Sequence, residues 1–454
     1  MNLSNYRYFS NTRIAFVLLL WFYSIVTSNE WTPVVLTTPT FVICLWRLSR
    51  IQNDLFTPQD MFWITSLLFF VVSPNQIIKS WSFVAGPTAG LTYPAHNFYT
   101  AQTIVLIFLA IFAFFDAKAS RLLTRNRVSN MPPSFPTITR RRIILIFFAV
   151  ITSFVLYVLF SGGINNVLAP RREKVADEIS FFSVIFMAIM ATGVMLLTSK
   201  APSLNSIEKI LLFVCFIFLF IAVNPFNSPR FYNLAIWIPI AMIAAGSSFT
   251  AFRAYILILF GLFVIMPITS IVSRGGAKEF NGITENQYYF SDLFRIKDID
   301  VFDTLVHAAY FMQDHAYSAG QNILSIVLFF IPRSFWSTKP VGGGAIIGDD
   351  LFRNAWAGTD SLSFFFGGEL YMDFGFIGVI IGSIIIGTLW IAVISSTKFI
   401  VNDHNIIACI TTGSIPILIR GSLSSVVGIF LSLFCAALLY RIIFRIRYGR
   451  SVIL

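Results

Sequence analysis

Apolar and polar positions alternate along this chain in long blocks, not at the short spacing of strands. Apolar runs close to the roughly 17–25 residues that cross a bilayer as a helix recur from one end to the other. Polar or charged connections separate these runs. The pattern predicts twelve helical spans, at 14–28, 33–46, 61–78, 99–115, 143–160, 181–199, 210–223, 231–249, 254–272, 374–396, 405–419 and 422–440.

Composition supports an all-α polytopic membrane protein. The chain has 454 residues, of which 57% are hydrophobic and 12% are charged, and its mean hydropathy is +0.78. A soluble domain carries about 25% charged residues. The first span begins just after Arg13, lacks the small residues of a cleavage site and leads directly into the next span. We therefore expect it to be retained as a membrane helix and not removed as a signal peptide.

The basic residues predict the orientation of the spans. With the N-terminus in the cytoplasm, 19 of the 32 Lys and Arg residues lie in inner segments and six in the short outer loops. Cytoplasmic loops carry an excess of Lys and Arg, so both termini are predicted to be cytoplasmic. The net charge of +11 then reflects topology and lipid headgroups, not nucleic acid. The inner set comprises Arg7, Arg13, Arg47, Arg50, Lys118, Arg121, Arg125, Arg127, Arg140, Arg141, Arg142, Lys200, Lys209, Arg253, Lys398, Arg441, Arg445, Arg447 and Arg450.

Two polar segments interrupt the succession of spans. Residues 116–142 form a basic, proline-bearing cytoplasmic linker that we interpret as an anchor to anionic lipid. Residues 273–373 are too long for a simple connection, and long loops of this kind usually carry function. The predicted organisation is nine spans in 1–272, a large periplasmic loop at 273–373, and three further spans with a basic cytoplasmic tail in 374–454.

Within the large loop, one stretch combines an apolar run, cations and glycines. The sequence NILSIVLFFIPR has about ten apolar residues before its proline, which is too short to span, so a re-entrant or interfacial helix is predicted near 322–332. Arg333 and Lys339 follow it. The sequence VGGGAIIGDD, at 341–350, then provides a backbone that can approach a ligand closely.

Arginines also occur in short predicted outer loops, against the orientation rule. Arg171 and Arg172 follow one span, and Arg230 begins another. A guanidinium group offers a fork of donors that matches phosphate oxygens. We interpret these residues, with Arg333 and Lys339, as candidate ligands of a lipid-linked pyrophosphate. The simpler alternative is that they are cations whose side chains reach the membrane interface.

Three stretches together resemble the Wzy-type O-antigen polymerases, a family of oligosaccharide repeat-unit polymerases. They are NPFNSPR at 224–230, GQNILSIVLFFIPRSFWSTKPVGGG at 320–344 and GGELYMDFGFIGV at 367–379. The resemblance covers roughly 160–385, and IPRSFWSTKP is its most specific part. Some members share an Arg-x10-Gly pattern in outer loops, and the spacing from Arg333 into the glycine run meets it.

The resemblance implies a metal-independent glycosyltransferase of the GT-C type, without a cofactor, in the bacterial inner membrane. Such an enzyme takes the growing glycan from its undecaprenyl pyrophosphate carrier and places it on the non-reducing end of a new lipid-linked repeat unit. The reaction occurs on the periplasmic face, and a chain-length regulator is a possible partner. Trp336 and Tyr371 are the aromatic residues assigned to glycan contacts.

The transfer also needs a group that accepts the proton of the attacking hydroxyl. Glu369 lies beside two glycines before a predicted span, so its carboxylate is expected near the bilayer. Asp303 and His307 lie one helical turn apart, and the carboxylate is expected to orient the imidazole. For each, the alternative is a solvated helix face. The other candidates on the same side are Asp300, His315, Asp349, Asp350 and Asp360.

Two other classes of membrane protein remain alternatives. An O-antigen ligase shares the chemistry and size, but it delivers glycan to the lipid A core. A lipid-linked oligosaccharide flippase also has about a dozen spans, but it would place cations inside the bundle and lack a loop such as 273–373. The sequence DID at 298–300 matches a metal-binding pattern of nucleotide-sugar enzymes. It lies away from cytoplasmic nucleotide sugars, so no metal role is assigned to it.

Overall fold

The computed structural model of this chain is mostly helical over the residues that it describes. It describes residues 3–51, 54–125, 140–169, 180–224, 230–262, 301–329, 331, 335–352, 362–396 and 406–443. The first helices are α1 (Leu3–Val26), α2 (Trp31–Ser49), α3 (Pro58–Leu67), a π-helical turn (Leu68–Val72) and α4 (Ser73–Ile77). Two short antiparallel strands follow, β1 (Ile78–Lys79) and β2 (Ser82–Phe83). The later helices are α5 (Ala95–Arg125), α6 (Arg140–Phe160), α7 (Ile164–Leu168), α8 (Ser180–Ser199), α9 (Ser206–Ala222), α10 (Arg230–Ala245), α11 (Ala251–Phe260), α12 (Val301–Phe311), α13 (Gln321–Val327), α14 (Gly343–Phe352), α15 (Phe366–Ser396), α16 (Ile406–Arg420) and α17 (Leu423–Ile443).

Six of the described helices are long and apolar enough to cross a membrane. They lie at Trp31–Ser49, Ala95–Arg121, Arg140–Phe160, Phe182–Ser199, Phe366–Ile394 and Val426–Ile443. An all-α protein of membrane type is therefore confirmed. Of the other predicted spans, 14–28 falls on α1, whose apolar part is Asn11–Val26, and the rest fall on shorter or interrupted helices. The span 254–272 extends beyond the described residues. Twelve crossings and the outer position of 273–373 remain predictions.

A broken helix lies at the centre of the bundle. Thr57 and Asp60 form a capping box at the start of α3, since each side chain accepts a hydrogen bond from the other residue's backbone amide. Every residue from there through the π-helical turn and α4 is buried. A helix that is apolar and covered on all sides belongs in a protein interior. It packs against α2, α16 and α12.

The most extensive helix pair is α5 with α15. A side chain at Gly387 would bring its Cβ within 2.6 Å of the Phe115 ring, so the absence of a side chain there permits close approach of the two helices. Nearer the start of both helices, the rings of Phe108 and Phe366 meet edge to face at 4.6 Å. These two helices connect opposite ends of the bundle.

At one end, the Asp116 carboxylate of α5 is the centre of a buried network. It accepts hydrogen bonds from Arg47 of α2 at 2.6 and 3.1 Å, and from the side-chain amide of Gln59. The indole nitrogens of Trp63 and Trp390 donate to it at 2.9 and 2.8 Å. This network joins α2, α3, α5 and α15. We call this region the Asp116 end.

A second buried ion pair involves Asp60, in the first turn of the broken helix. Arg13 of α1 pairs with Asp60 at 2.7 Å, and neither side chain is exposed. The Tyr255 hydroxyl of α11 also donates to Asp60 at 2.7 Å. Arg13 and Arg47 were counted among the cytoplasmic loop cations, but their charges are neutralised inside the bundle. The network around Asp60 belongs to the Asp116 end.

The other end is built from the hairpin β1–β2, the loop that follows it and helices α12, α13 and α14. The helix α12 packs on α5, and α13 packs between α15 and α17. The helix α15 is interrupted at Phe374 and Gly375, where Gly375 adopts φ 62° and ψ −153°. This backbone region is essentially restricted to glycine, so Gly375 allows the kink. We call this region the His307 end.

The two ends are separated by roughly the thickness of a membrane. At a rise of about 1.5 Å per residue, Asp116 lies about 30 Å from Ala95 along α5. Ala95 adjoins Tyr93, which contacts His307. The hydrocarbon core of a bilayer is also about 30 Å thick. The length of α5 therefore suits a protein with polar networks on both sides of an apolar layer.

Candidate functional site

His307 is the centre of the candidate site. It lies on α12, a helix buried from Val301 to Ala309, and its side chain is 6% exposed. The imidazole Nδ1 lies 2.9 Å from the Tyr93 hydroxyl, and Nε2 lies 2.9 Å from Asp350 Oδ2. A carboxylate accepts, so Nε2 carries the proton and Nδ1 accepts from Tyr93. Asp350, His307 and Tyr93 thus form one hydrogen-bonded row.

Burial controls the protonation of this row. Desolvation lowers the pKa of His307, and the hydrogen bond from its ring to Asp350 opposes that effect. Desolvation also raises the pKa of Tyr93, and the nearby Asp303 charge adds to the rise. At neutral pH the phenol therefore keeps its proton and the imidazole is neutral, as the hydrogen-bond directions require.

Asp303 has a different role from the one predicted. It was expected to orient the imidazole of His307, but both ring nitrogens are engaged by Tyr93 and Asp350, so that prediction is wrong. Asp303 is fully buried and accepts hydrogen bonds from the Thr88 hydroxyl at 2.9 Å and the Thr304 amide at 2.8 Å. It fixes the loop after β2 to the first turn of α12. The helix itself, with the two residues one turn apart, is as expected.

Glu369 lies in the first turn of α15 and is 1% exposed. The Ser422 hydroxyl donates to one of its oxygens at 2.6 Å, and the Leu423 amide donates to the other at 3.4 Å. It therefore ties α15 to the turn between α16 and α17. The start of α14 covers it, since a Cβ at Gly343 would lie 3.1 Å from Glu369 Cγ. In this state the carboxylate is enclosed.

Close packing requires the glycine run 342–344 at the start of α14. A Cβ at Gly343 would lie 2.7 Å from the Phe364 ring, and one at Gly344 would lie 2.5 Å from the Leu362 carbonyl oxygen. A Cβ at Gly342 would collide with the Ser422 and Ser424 hydroxyls. These glycines let the chain lie directly over Glu369. The same helix carries Asp350 at its other end, so α14 links Glu369 to His307.

Asp373 is a carboxylate that sequence reasoning missed. It is fully buried one turn after Glu369, just before the kink of α15. It accepts from the Asn322 and Ile323 amides at 3.1 and 3.0 Å and from the Ser318 hydroxyl. Asp373 therefore caps α13, a short helix that corresponds to the one predicted near 322–332. Its position four residues after Glu369 was the available signal.

Lys339, a predicted pyrophosphate ligand, is engaged with the backbone. Its ammonium group donates to the carbonyl oxygens of Phe329 and Ile331 at 2.9 and 3.0 Å. These carbonyls follow α13, where orphan acceptors need partners. The lysine closes the loop that leads from α13 towards α14, a contact that competes with a role as phosphate ligand.

The remaining predicted site residues fall into two groups. Trp336 is half-buried and its indole donates to the Thr338 hydroxyl at 3.1 Å. Tyr371 is 9% exposed and packs edge to face on Tyr317 and Phe376, so its ring does not present an open face to a sugar in this state. Of the arginines, Arg230 begins α10, and its side chain is outside the described part. Arg171, Arg172 and Arg333 lie outside the described residues.

The site as a whole gathers titratable groups from distant segments. Tyr93 and His307 are separated by 214 positions, and Glu369 and Ser422 by 53. Within the described ranges, no group of three or more His, Cys, Asp or Glu residues is arranged to hold a metal ion. The groups present can accept, donate and position protons. No local motif indicated Tyr93 or Ser422, because each acts through a long-range contact.

Comparison with known proteins provides no family assignment. No protein-family model, no curated protein and no solved structure matches this chain.

Proposed function

We propose that this protein polymerises undecaprenyl-pyrophosphate-linked repeat units into a polysaccharide, as the resemblance to Wzy-type polymerases implies. The observation that carries the proposal is the gathering of Tyr93, His307, Asp350 and Glu369 at one end of a bundle of apolar helices. A substrate with a lipid tail and a polar head would place its reacting atoms at such an end.

The orientation follows from the predicted topology. With both termini in the cytoplasm, the segments that carry Tyr93, His307 and Glu369 lie on the periplasmic side. Lipid-linked repeat units are polymerised on that side in the proteins that this chain resembles. The Asp116 end would then face the cytoplasm.

The chemistry divides between two sets of residues. Arginines bind the pyrophosphate that leaves, because their charge offsets the negative charge that develops as the glycosidic bond breaks. Arg171, Arg172, Arg230 and Arg333 are the proposed ligands, and Lys339 can join them only by giving up its carbonyl contacts. The groups of the His307 end take up the proton of the attacking sugar hydroxyl. No metal ion or cofactor is part of this scheme.

Glycan length in a strain that lacks the gene tests the function. Complementation with the wild-type chain should restore a ladder of long glycans, whereas the empty strain should keep single repeats. Bare core without repeats would indicate a ligase. Repeat units trapped on the cytoplasmic side would indicate a flippase. Either of these results would overturn the polymerase proposal.

A labelling experiment tests the orientation independently. In a variant without native cysteines, Ser291→Cys and Thr359→Cys should react with a membrane-impermeant maleimide in intact spheroplasts, and Ser129→Cys should not. Labelling of Ser129→Cys alone would invert the topology and place the His307 end in the cytoplasm.

A further inference from the structure

We propose that Asp350 accepts the proton of the attacking hydroxyl, and that His307 and Tyr93 are the positioning residues behind it. This inference rests on the proposed function and assigns the reacting group within the site. It replaces Glu369 and His307, the residues that the sequence favoured for this step.

Exposure separates Asp350 from Asp303, His307 and Glu369, the candidates that the sequence favoured. The Asp350 side chain is 36% exposed, whereas that of His307 is 6% exposed. Glu369 is 1% exposed and enclosed by Gly343, Phe364 and the turn that carries Ser422. A group that removes a proton must come within hydrogen-bonding distance of it. A substrate hydroxyl can reach Asp350 without any rearrangement of the helices.

The hydrogen-bonded row fixes the Asp350 carboxylate. His307 Nε2 donates to Oδ2, so that oxygen is held at 2.9 Å from a buried and therefore well-ordered ring. The Tyr93 hydroxyl donates to Nδ1 from the opposite side and prevents the ring from adopting the other tautomer. Tyr93 in turn packs edge to face on His307 and on Tyr310. A fixed carboxylate accelerates proton transfer more than one that moves freely in solvent, because it needs less reorientation to reach the reactive geometry.

The protonation states agree with this arrangement. Burial lowers the pKa of His307 and raises the pKa of Tyr93, so the ring stays neutral and the phenol stays protonated. The titratable groups that contact the imidazole are Tyr93 from the loop before α5, Asp350 from α14 and Tyr310 from α12 itself, and the charge of Asp303 on α12 acts on Tyr93. The imidazole therefore holds the Asp350 carboxylate as a neutral donor and not as a cation.

The proposed transfer forms one bond, breaks one bond and moves one proton. The oxygen of the acceptor hydroxyl forms a bond to the anomeric carbon of the donor glycan. The bond from that carbon to the pyrophosphate oxygen breaks, and its electron pair leaves with undecaprenyl pyrophosphate. The hydroxyl proton passes to the Asp350 carboxylate and is later released to water. No oxidant, reductant or further reactant is required.

The test compares neighbouring carboxylates in a purified system. The enzyme is assayed in proteoliposomes with undecaprenyl-pyrophosphate-linked repeat units extracted from a strain that lacks this gene. Asp350→Asn should lower kcat by about 100-fold or more with little change in KM, the range expected when a general base is removed. Asp349→Asn, the matched control on the same helix, should stay within about twofold of wild type.

Two further variants separate positioning from folding. His307→Leu should lower kcat about tenfold at unchanged KM, whereas His307→Gln should recover part of the loss, because an amide can donate to Asp350. External formate should partly restore activity to Asp350→Ala by supplying a carboxylate. Formate would not repair a purely structural defect, so the rescue reports on proton transfer even if the variant is less stable.

The outcomes distinguish this inference from the proposed function. If wild-type enzyme makes no polymer from the lipid-linked units, the proposed function fails and the inference fails with it. If wild type polymerises and Asp350→Asn matches its kcat, the inference alone is overturned and Asp350 is a surface residue. Equal loss in Asp349→Asn and Asp350→Asn would also overturn it, because the effect would then not depend on the bond to His307.

Discussion

The two ends of the bundle hold their carboxylates in different ways. At the Asp116 end, Asp60 and Asp116 each pair with a buried arginine at 2.7 and 2.6 Å. At the His307 end, Asp303, Glu369 and Asp373 accept hydrogen bonds from hydroxyls and backbone amides, and Asp350 accepts from a neutral imidazole. One end is closed by paired charges, and the other is held by neutral donors.

This difference indicates that the two ends have different roles. A buried ion pair is strongly destabilised when one partner leaves, so the helices that it joins are held together in one arrangement. A carboxylate held by neutral donors has no charged partner, so its removal would not leave a buried cation behind. The Asp116 end therefore holds the helices in one arrangement, and the His307 end carries the carboxylate that the proposed proton transfer would use. Five experiments test this difference between the two ends.

The largest expected effect comes from removing Asp116. The Asp116→Asn substitution leaves Arg47 buried without its counter-charge, which should reduce stability by about 3–5 kcal/mol. Thermal unfolding of the purified protein in detergent measures this as a large drop in Tm. Asp314→Asn, on the exposed turn after α12, is the control and should shift Tm by a degree or so at most. Equal Tm values for the two variants would contradict a structural role for the Asp116 end.

A double substitution tests the same ion pair by removing both of its charges. Replacing both partners, Arg47→Met with Asp116→Leu, removes the charges together and leaves apolar groups of similar size. This double substitution should recover much of the stability lost in the single one, because desolvating the two charges is itself costly. A double variant as unstable as Asp116→Asn would show that Gln59, Trp63 and Trp390 need the carboxylate for their own hydrogen bonds.

At the His307 end, the next largest effect should come from Gly344. A Cβ there would lie 2.5 Å from the Leu362 carbonyl oxygen and 2.9 Å from Ser422 Cβ, and neither backbone nor buried serine can move away easily. Gly344→Ala should therefore reduce stability by about 1–3 kcal/mol. Gly261→Ala, where a Cβ would meet nothing within 4 Å, is the matched control. If the two variants have the same Tm, α14 does not pack tightly over Glu369.

The apolar pattern alone predicted the helices well but predicted the site only in part. A membrane requires long apolar runs, so helices such as α5 and α6 follow directly from local sequence. The row Asp350–His307–Tyr93 depends on three segments that meet only in the fold, and no local pattern marks Tyr93. Spacing placed Asp303 and His307 on one helix, yet it did not reveal that α14 brings a different carboxylate to the ring.

Cations were the least predictable feature. Arg13, Arg47 and Lys339 all lie beside polar or proline-bearing segments, where sequence suggests a surface position. The structure engages each of them with buried carboxylates or backbone carbonyls. The partners lie in other helices or at a helix end, so burial of these charges could not be inferred from their own neighbourhood.

The cap on α13 should give a smaller effect than Gly344. Asp373→Ala removes the acceptor of the Asn322 and Ile323 amides, and loss of such a cap costs about 1–2 kcal/mol. Because α13 is short, we expect local opening and not global unfolding. Amide hydrogen exchange at 321–327 should accelerate in Asp373→Ala and stay unchanged in the control Asp314→Ala. Unchanged exchange in both variants would show that α13 is held by its packing on α15 and α17.

The smallest effect concerns the pH dependence of stability. Burial lowers the pKa of His307 in the folded protein below its ordinary value, so the unfolded chain binds the proton more readily. The stability that depends on the neutral ring is therefore fully present above the unfolded value of about 6.5 and is lost as the pH falls through it. The Tm of wild type should drop more between pH 7.5 and pH 5.5 than that of His307→Gln.

The control Tyr310→Phe keeps an aromatic ring beside the imidazole, so its Tm should fall as much as that of wild type. If His307→Gln loses as much Tm as wild type on acidification, protonation of this ring does not oppose folding. If wild type instead loses less Tm than His307→Gln, Asp350, which favours the protonated ring, outweighs burial, and the His307 end carries an ion pair like the Asp116 end.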